Sequence, residues 1–316
     1  MGKGKKVTII GAGNVGATVA YSLAMKGSCH FIVLRDRNVE IAKGKALDMS
    51  QAANAARQHT IVTAAEEASD IAGSDVVVIT AGSARKPGMS RDDLLAINAK
   101  ITKEMVQDVK EHAPDSIIIM VSNPLDVMTY VAFRESGFPR ERVLGMAGIL
   151  DSARMAHFIH EKIGYGAGQI RASVMGGHGD DMVPLPKFST IAGVPLSDIL
   201  SEDEIIEIVE RTKHGGAEIV GYLKTGSAYY APAKSTALMV EAILQDTKQI
   251  HPCAILLDGE YGYHDVVSGV PIALGASGAE KIFEMTLSVS QKRKFANSVA
   301  SVKGMIDVLK EKDFFD

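Results

Sequence analysis

Short apolar runs alternate with longer stretches in which apolar residues recur at three- and four-residue spacing through the first half of the chain. VTII, FIVL, VVVIT and IIIMV are rich in branched residues, the composition of strands covered on both faces. Val15, Val19 and Leu23 mark one face of the helix after the first of these runs. The rhythm predicts strands at Lys6–Ile10, Phe31–Arg35, His59–Thr63, Val76–Thr80, Ile117–Val121 and Val143–Gly145, joined by crossover helices. That is the pattern of an α/β domain with a doubly wound parallel sheet. If the strand order is 3-2-1-4-5-6, the topological switch lies between the first and fourth strands, and ligands bind beyond their carboxyl ends.

After about Met146 the pattern changes to long helices interleaved with irregular strands. GILDSARMAHFIHEKIG predicts one helix, and a C-terminal helix is expected from about Ser288 to Lys312. This second half reads as an α+β domain, which divides the chain into residues 1–146 and 147–316. The stretch GASGAE, Gly275 to Glu280, reads as a strand-to-helix turn and not as a second phosphate site.

The chain has 316 residues, 46% of them hydrophobic and 23% charged, enough to bury a large core. Its net charge of −4 argues against nucleic acid or an anionic membrane as the main partner. No apolar run approaches the ~20 residues of a membrane span. VTII is too short for a signal-peptide core, and the two cysteines, Cys29 and Cys253, have no paired spacing, so a cytoplasmic address is expected. Small anionic substrates remain open to a chain that gathers its arginines locally.

VTIIGAGNVGATVAYSLA supplies the first functional motif. Gly11 permits a tight turn, Gly13 lets the backbone approach a pyrophosphate, and Gly16 lets the helix pack closely on the strand. Ala12, Asn14 and Val15 complete the loop, and the diphosphate lies at the helix N-terminus, where free N–H groups favour anions. Asp36 comes twenty residues after Gly16 at the end of the second strand, the place of an acid that holds a ribose hydroxyl. Its charge would repel a 2′-phosphate, so NAD is favoured over NADP, although Arg35 and Arg37 flank it. A Rossmann-type NAD-binding domain is the expectation.

Four further pieces carry candidate chemistry. MGGHGDDM sets His178 among Gly176, Gly177 and Gly179, and histidine is the side chain best suited to reversible proton transfer near neutral pH. LDSAR puts Asp151 and Arg154 on one helix face. They form a local ion pair, or Asp151 accepts the imidazole N–H of His178 and leaves Arg154 to grip a carboxylate in a bidentate fork. VSNPLD ends the fifth strand at Asn123, either a turn residue or a hydrogen-bonding group for substrate or ribose, with Pro124 stopping the strand. GSARKPGMSRDDL comes directly after the fourth strand and combines Gly82, Pro87 and Gly88 with Arg85, Lys86 and Arg91, either a solvated basic face or an anion-gripping loop. His157, His160 and Glu161 lack the second histidine of an H-E-x-x-H zinc motif, so no metal is expected.

In order and spacing along essentially the whole chain, GAGNVG, ARKPGMSR, VSNP, LDSAR and GGHGDD resemble the lactate/malate dehydrogenase family. TAGSARKPGMSRDDL and GSAYYAPA look most like its bacterial, lactate-dehydrogenase-like, malate-specific branch. The resemblance implies reversible, NAD-dependent hydride transfer between malate and oxaloacetate, a step of the tricarboxylic acid cycle. It implies that His178 is the proton donor and acceptor, Asp151 its orienting partner, Arg154 the clamp on the C1 carboxylate and Arg91 the group that polarises the reacting carbonyl. Arg85 occupies the position where lactate-specific members carry glutamine, and an arginine there implies a second carboxylate, for which the small Ala228 leaves room. Asn98 and Val121, Ser122 and Asn123 are implied to lie nearer the nicotinamide. A homo-oligomer is implied, a tetramer before a dimer. Two other readings remain: a lactate or broad 2-hydroxyacid dehydrogenase, against which Arg85 argues, and a non-catalytic NAD-binding sensor, which would need none of His178, Asp151, Arg154 and Arg91.

Overall fold

The computed structural model describes residues 4–83 and 90–315. In the first half β1 (Lys6–Ile10), α1 (Asn14–Lys26), β2 (Phe31–Arg35), α2 (Val39–Ala55), β3 (Ile61–Ala64), β4 (Val76–Ile79), α3 (Arg91–His112), β5 (Ile117–Met120), α4 (Leu125–Ser136) and β6 (Val143–Gly145) succeed one another. The strands pair in parallel in the order β3-β2-β1-β4-β5-β6. β4 and β5 are buried at every residue, as apolar runs covered on both faces require. Helix limits are set by side-chain chemistry: Ser90 and Asp93 form a capping box at the start of α3, and Gly27 and Gly137 end α1 and α4 in the left-handed conformation.

The expected His59–Thr63 strand is displaced toward the C-terminus. His59 and Thr60 belong to the approach to β3, where the buried Thr60 hydroxyl donates to Cys29 O at 2.7 Å. The fourth and fifth strands end one residue earlier than expected, at Ile79 and Met120, and just beyond them the Thr80 and Ser122 hydroxyls bond to neighbouring loops.

The second half contains α5 (Gly148–Ile163), β7 (Ile170–Arg171), β8 (Val174–Gly176), β9 (Met182–Pro184), β10 (Thr190–Ile191), β11 (Val194–Pro195), α6 (Glu202–Leu223), α7 (Tyr230–Leu244), β12 (Gln249–Asp258), β13 (His264–Gly275), β14 (Gly278–Ile282) and α8 (Val289–Lys310). Its sheet continues that of the first half. β12 pairs antiparallel with β6 through Ala254 and Gly145, and the order runs on through β13 and β8 to β9, with β14 on β13. One apolar core spans both halves, and a smaller one lies between α5 and α6.

Gly275–Glu280 is not the strand-to-helix turn expected from its glycines. It closes the β13–β14 hairpin, with Gly275 opposite Gly278. A Cβ on Gly278, whose φ is +92°, would lie 2.1 Å from Glu141 O, so close approach of another backbone accounts for that glycine. The C-terminal helix starts one residue after Ser288, which caps it in a box with Gln291.

Candidate active site

The carboxyl ends of β1, β4 and β5 meet at the topological switch, and side chains tie their loops together. Thr80 Oγ1 donates to Gly11 O at 2.9 Å, and Ser122 Oγ donates to Ala81 O at 2.6 Å. Asn98, buried on α3, accepts the Ser83 N–H at 2.7 Å and donates to Asn123 O at 2.7 Å and Ser83 O at 3.2 Å. Asn98 and Ser122 therefore brace the rim, and Val121 is buried beneath it. Asn123 is exposed at the end of the fifth-strand loop, joined to Pro124 by a cis peptide bond.

The glycine turn at the head of α1 shows three different spatial demands. Gly11 has φ +105°, and a Cβ there would lie 2.7 Å from Ala81 N. At Gly16 a Cβ would lie 1.9 Å from Gly11 O, whereas at Gly13 nothing lies within 4 Å. Asn14 begins α1, Val15 packs against the core, and the helix N-terminus has neither a side-chain cap nor an acid in its first turn. Its N–H groups and the open space over Gly13 fit a dinucleotide diphosphate. Gly16→Ala is accordingly expected to destabilise the fold by about 3 kcal/mol or more, read as a fall in Tm. Gly13→Ala is expected to leave Tm near the wild type and to weaken NADH binding in a fluorescence titration.

Asp36 is half-buried after β2. Its Oδ2 accepts the Ala12 N–H at 2.8 Å and its Oδ1 the Asn38 N–H at 2.9 Å, while Lys45 Nζ donates to Ala12 O at 2.6 Å. Each carboxylate oxygen retains a lone pair for a ribose hydroxyl. Arg35, which left the preference for NAD in question, points its guanidinium to Asp108 of α3, 2.5 Å away, and is thus already engaged. Arg37 is exposed.

His178 occupies the turn between β8 and β9. A Cβ on Gly176, whose φ is +83°, would lie 2.8 Å from Ser298 Oγ of α8, and the Gly177 N–H donates to that hydroxyl at 2.7 Å. The His178 N–H donates to Asp126 Oδ2 at 2.8 Å. Its imidazole Nδ1 lies 2.9 Å from Asp151 Oδ2, which fixes the Nδ1–H tautomer and leaves Nε2 for proton exchange. Asp151 is in the first turn of α5 and 1% exposed. Burial works against the imidazolium, but the Asp151 charge and hydrogen bond and the Asp126 charge outweigh it, so His178 titrates above the ordinary histidine value.

Asp151 uses both oxygens: Oδ1 accepts from Arg154 Nη1 at 3.2 Å while Oδ2 holds His178. The local pair and the His178 contact, posed as alternatives by the spacing, coexist. Arg154 is 12% exposed and its Nε is buried without a partner. α6 passes over it at Gly215 and Gly216, where a Cβ would lie 3.5 Å from Arg154 Cδ and 3.6 Å from Nη2 respectively. Such a guanidinium, held at one end and with hydrogen-bonding capacity in reserve, can receive a carboxylate.

The structure thus brings together His178, Asp151 and Arg154. Arg91 begins α3, exposed, and among the described residues no hydrogen bond or ion pair joins it to that trio. Arg85, with Lys86, lies outside the described residues. Ala228 is half-buried, in the otherwise largely exposed segment between α6 and α7. His157 approaches Glu161 at 3.6 Å and His160 Nδ1 lies 3.0 Å from Tyr165 O, and among the described residues no cluster of three or more ligating side chains is suited to a metal ion. Among the described residues no helix is long and apolar enough to cross a membrane. Sequence reasoning missed Asp126, Ser298 and the Gly215–Gly216 pair. Asp126 had a legible signal, an acid inside the otherwise apolar opening of α4, LDVMTYVA.

Comparison with known proteins shows the family to which the chain belongs. The profile of the lactate/malate dehydrogenase NAD binding domain matches residues 5–145, and that of the family's alpha/beta C-terminal domain matches residues 149–313. A malate dehydrogenase of Sulfurimonas denitrificans is 71% identical over 316 residues, covering 100% of this chain and 99% of the relative. The apo malate dehydrogenase of Picrophilus torridus superposes with a TM-score of 0.95 at 40% identity, covering 98% of each chain. A Cryptosporidium parvum lactate dehydrogenase, solved with lactic acid and nicotinamide adenine dinucleotide, superposes with a TM-score of 0.94 at 36% identity, covering 98% of this chain and 99% of that one.

Proposed function

Because the chain belongs to the lactate/malate dehydrogenase family, we propose that it interconverts (S)-malate and oxaloacetate with NAD, the step of the tricarboxylic acid cycle that this substrate pair defines. The observation that carries the reading is the coupled trio: one buried carboxylate holds a histidine at 2.9 Å and an arginine at 3.2 Å. A proton carrier and a carboxylate grip are thereby fixed relative to each other, as reduction of a 2-oxo acid requires.

The glycine turn, the α1 N-terminus and Asp36 would hold the diphosphate and adenosine ribose of the cofactor, with Asn98 and the Val121–Asn123 loop toward the nicotinamide, which when bound would supply or accept the hydride at C2. Arg154 receives the C1 carboxylate in a fork. His178, protonated, gives its Nε2 proton to the carbonyl oxygen during reduction and takes it back during oxidation, while Asp151 keeps the ring oriented and favours its charged form. Arg91 adds positive charge where the carbonyl oxygen becomes anionic.

Arg85 is assigned the distal carboxylate on chemical grounds: a three-carbon 2-oxo acid offers its guanidinium no counter-charge. NADH oxidation with oxaloacetate and pyruvate side by side tests this. A strong preference for oxaloacetate is expected, falling by roughly 10²-fold or more in Arg85→Gln as the charge-assisted fork is lost. Equal rates with the two acids in the wild type would favour a lactate or broad 2-hydroxyacid dehydrogenase, and NADH binding without turnover a sensor.

The division into residues 1–146 and 147–316 is supported by the break between β6 and α5. A homo-oligomer is supported by exposed apolar side chains on α1, α2, α6 and α7, including Tyr21, Leu47, Tyr222 and Tyr230, and the order of a tetramer before a dimer rests on the family resemblance. A cytoplasmic address is supported by two buried free thiols, Cys29 and Cys253.

A further inference from the structure

We infer that Asp126 is a positioning residue for proton transfer: from beneath the catalytic turn its carboxylate anchors the His178 backbone and offsets the Arg154 charge felt by the imidazole. The inference rests on His178 being the acid-base group. Asp126 is the second residue of α4, directly after the Asn123–Pro124 corner, so it links the nicotinamide side of the rim to the turn that carries His178. It is 4% exposed, and Leu125, Val127, Met128 and Tyr130 around it in the chain are buried too. Oδ2 accepts the His178 N–H at 2.8 Å; Oδ1 is buried with no partner. A Cβ on Gly177 would lie 3.5 Å from Oδ2.

A half-satisfied carboxylate in an apolar helix is a costly way to accept one N–H, which a neutral amide would do as well. The charge therefore has its own role. The charged groups facing the imidazole are Asp151 and Arg154 from α5 and Asp126 from α4; at the same turn α8 presents the neutral Ser298. Burial is the main influence against the imidazolium and Arg154 adds a smaller one, so Asp151 works against both; the Asp126 charge, larger in effect than that of Arg154, adds to the attraction for the proton. Burial pushes the Asp126 carboxyl up to about 6, so above that pH it carries the negative charge that attracts the proton, favoured by the N-terminus of α4.

The test compares wild type, Asp126→Asn, Asp126→Ala and Ser298→Ala. Two measurements are made: the pH profile of kcat/KM in both directions, and the NMR titration of the His178 ring protons in the substrate-free protein, assigned by difference from His178→Asn. Without the Asp126 charge, the imidazole midpoint is expected to fall by on the order of one pH unit. Malate oxidation, which needs neutral His178, then rises at lower pH, and oxaloacetate reduction, which needs the protonated ring, declines at lower pH. Asp126→Asn keeps an acceptor for the His178 N–H, so its plateau kcat is expected to stay within about tenfold of wild type, with Asp126→Ala lower still. Either Asp126 variant that binds NADH suffices for the titration. Ser298→Ala loosens the same turn without a change of charge and is expected to keep the wild-type midpoint. An unchanged midpoint in Asp126→Asn, or an equal shift in Ser298→Ala, overturns the inference. A wild type inactive on both 2-oxo acids would instead remove the functional reading, and the NMR titration would still decide the role of Asp126.

Discussion

His178→Asn is expected to lower turnover in both directions by roughly 10² to 10⁴ while NADH affinity stays close to that of the wild type. Asparagine is the informative replacement because it is polar, of similar reach, and able to donate one N–H to Asp151 Oδ2, so the turn between β8 and β9 keeps its anchors at Ser298 and Asp126. It has no proton to exchange near neutral pH. The loss therefore falls on kcat, and the pH dependence assigned to the imidazole disappears with it. Steady-state kinetics from acid to alkaline pH, with NADH affinity measured separately, make the check. Near-normal turnover would return His178 to the status of a packed residue in a glycine-rich turn.

Arg154→Lys separates two roles that the packing of α5 against α6 superimposes on one side chain. A lysine retains a positive charge beside Asp151, so the variant would behave as wild type if Arg154 served only that ion pair. It lacks the planar fork, and two parallel hydrogen bonds to a substrate carboxylate become at most one. With a charge-assisted hydrogen bond worth about 1.5 to 3 kcal/mol, kcat/KM for oxaloacetate is expected to fall by about 10²-fold, mostly through KM. A variant with unchanged KM would place the C1 carboxylate elsewhere.

Much of this site was legible because its residues are obliged by local chemistry. The strand-turn-helix around Gly11, Gly13 and Gly16 is visible in sequence since each glycine answers a separate steric demand, and the acid at Asp36 falls at the end of a strand that apolar patterning locates. His178 among glycines was legible for the same reason. The illegible part depends on long-range pairing. β12 meets β6 through a single bridge between Ala254 and Gly145, which leaves no trace in periodicity, so the sheet's continuity into the second half was invisible. Gly275–Glu280 misled because glycines mark a turn without specifying whether a helix or a strand comes next; the hairpin is decided by pairing to β13 and by contact with Glu141 O. The Asp151–Arg154 spacing allowed two readings, and only the direction of each carboxylate oxygen showed that both hold.

The single sheet that crosses both halves has a consequence for biogenesis. During synthesis the N-terminal half leaves the ribosome first, and the parallel strands that precede Gly145 can pair as soon as they emerge. The far side of β6 then has no neighbour until the chain has been extended to Ala254. Throughout that interval the nascent protein carries an open sheet edge next to apolar surface that α7 and β12 will later cover, a template for pairing with another chain. The two sequence-defined halves are thus unequal as folding units: the second closes the first, and a fragment ending near Gly145 is the species most in need of a chaperone.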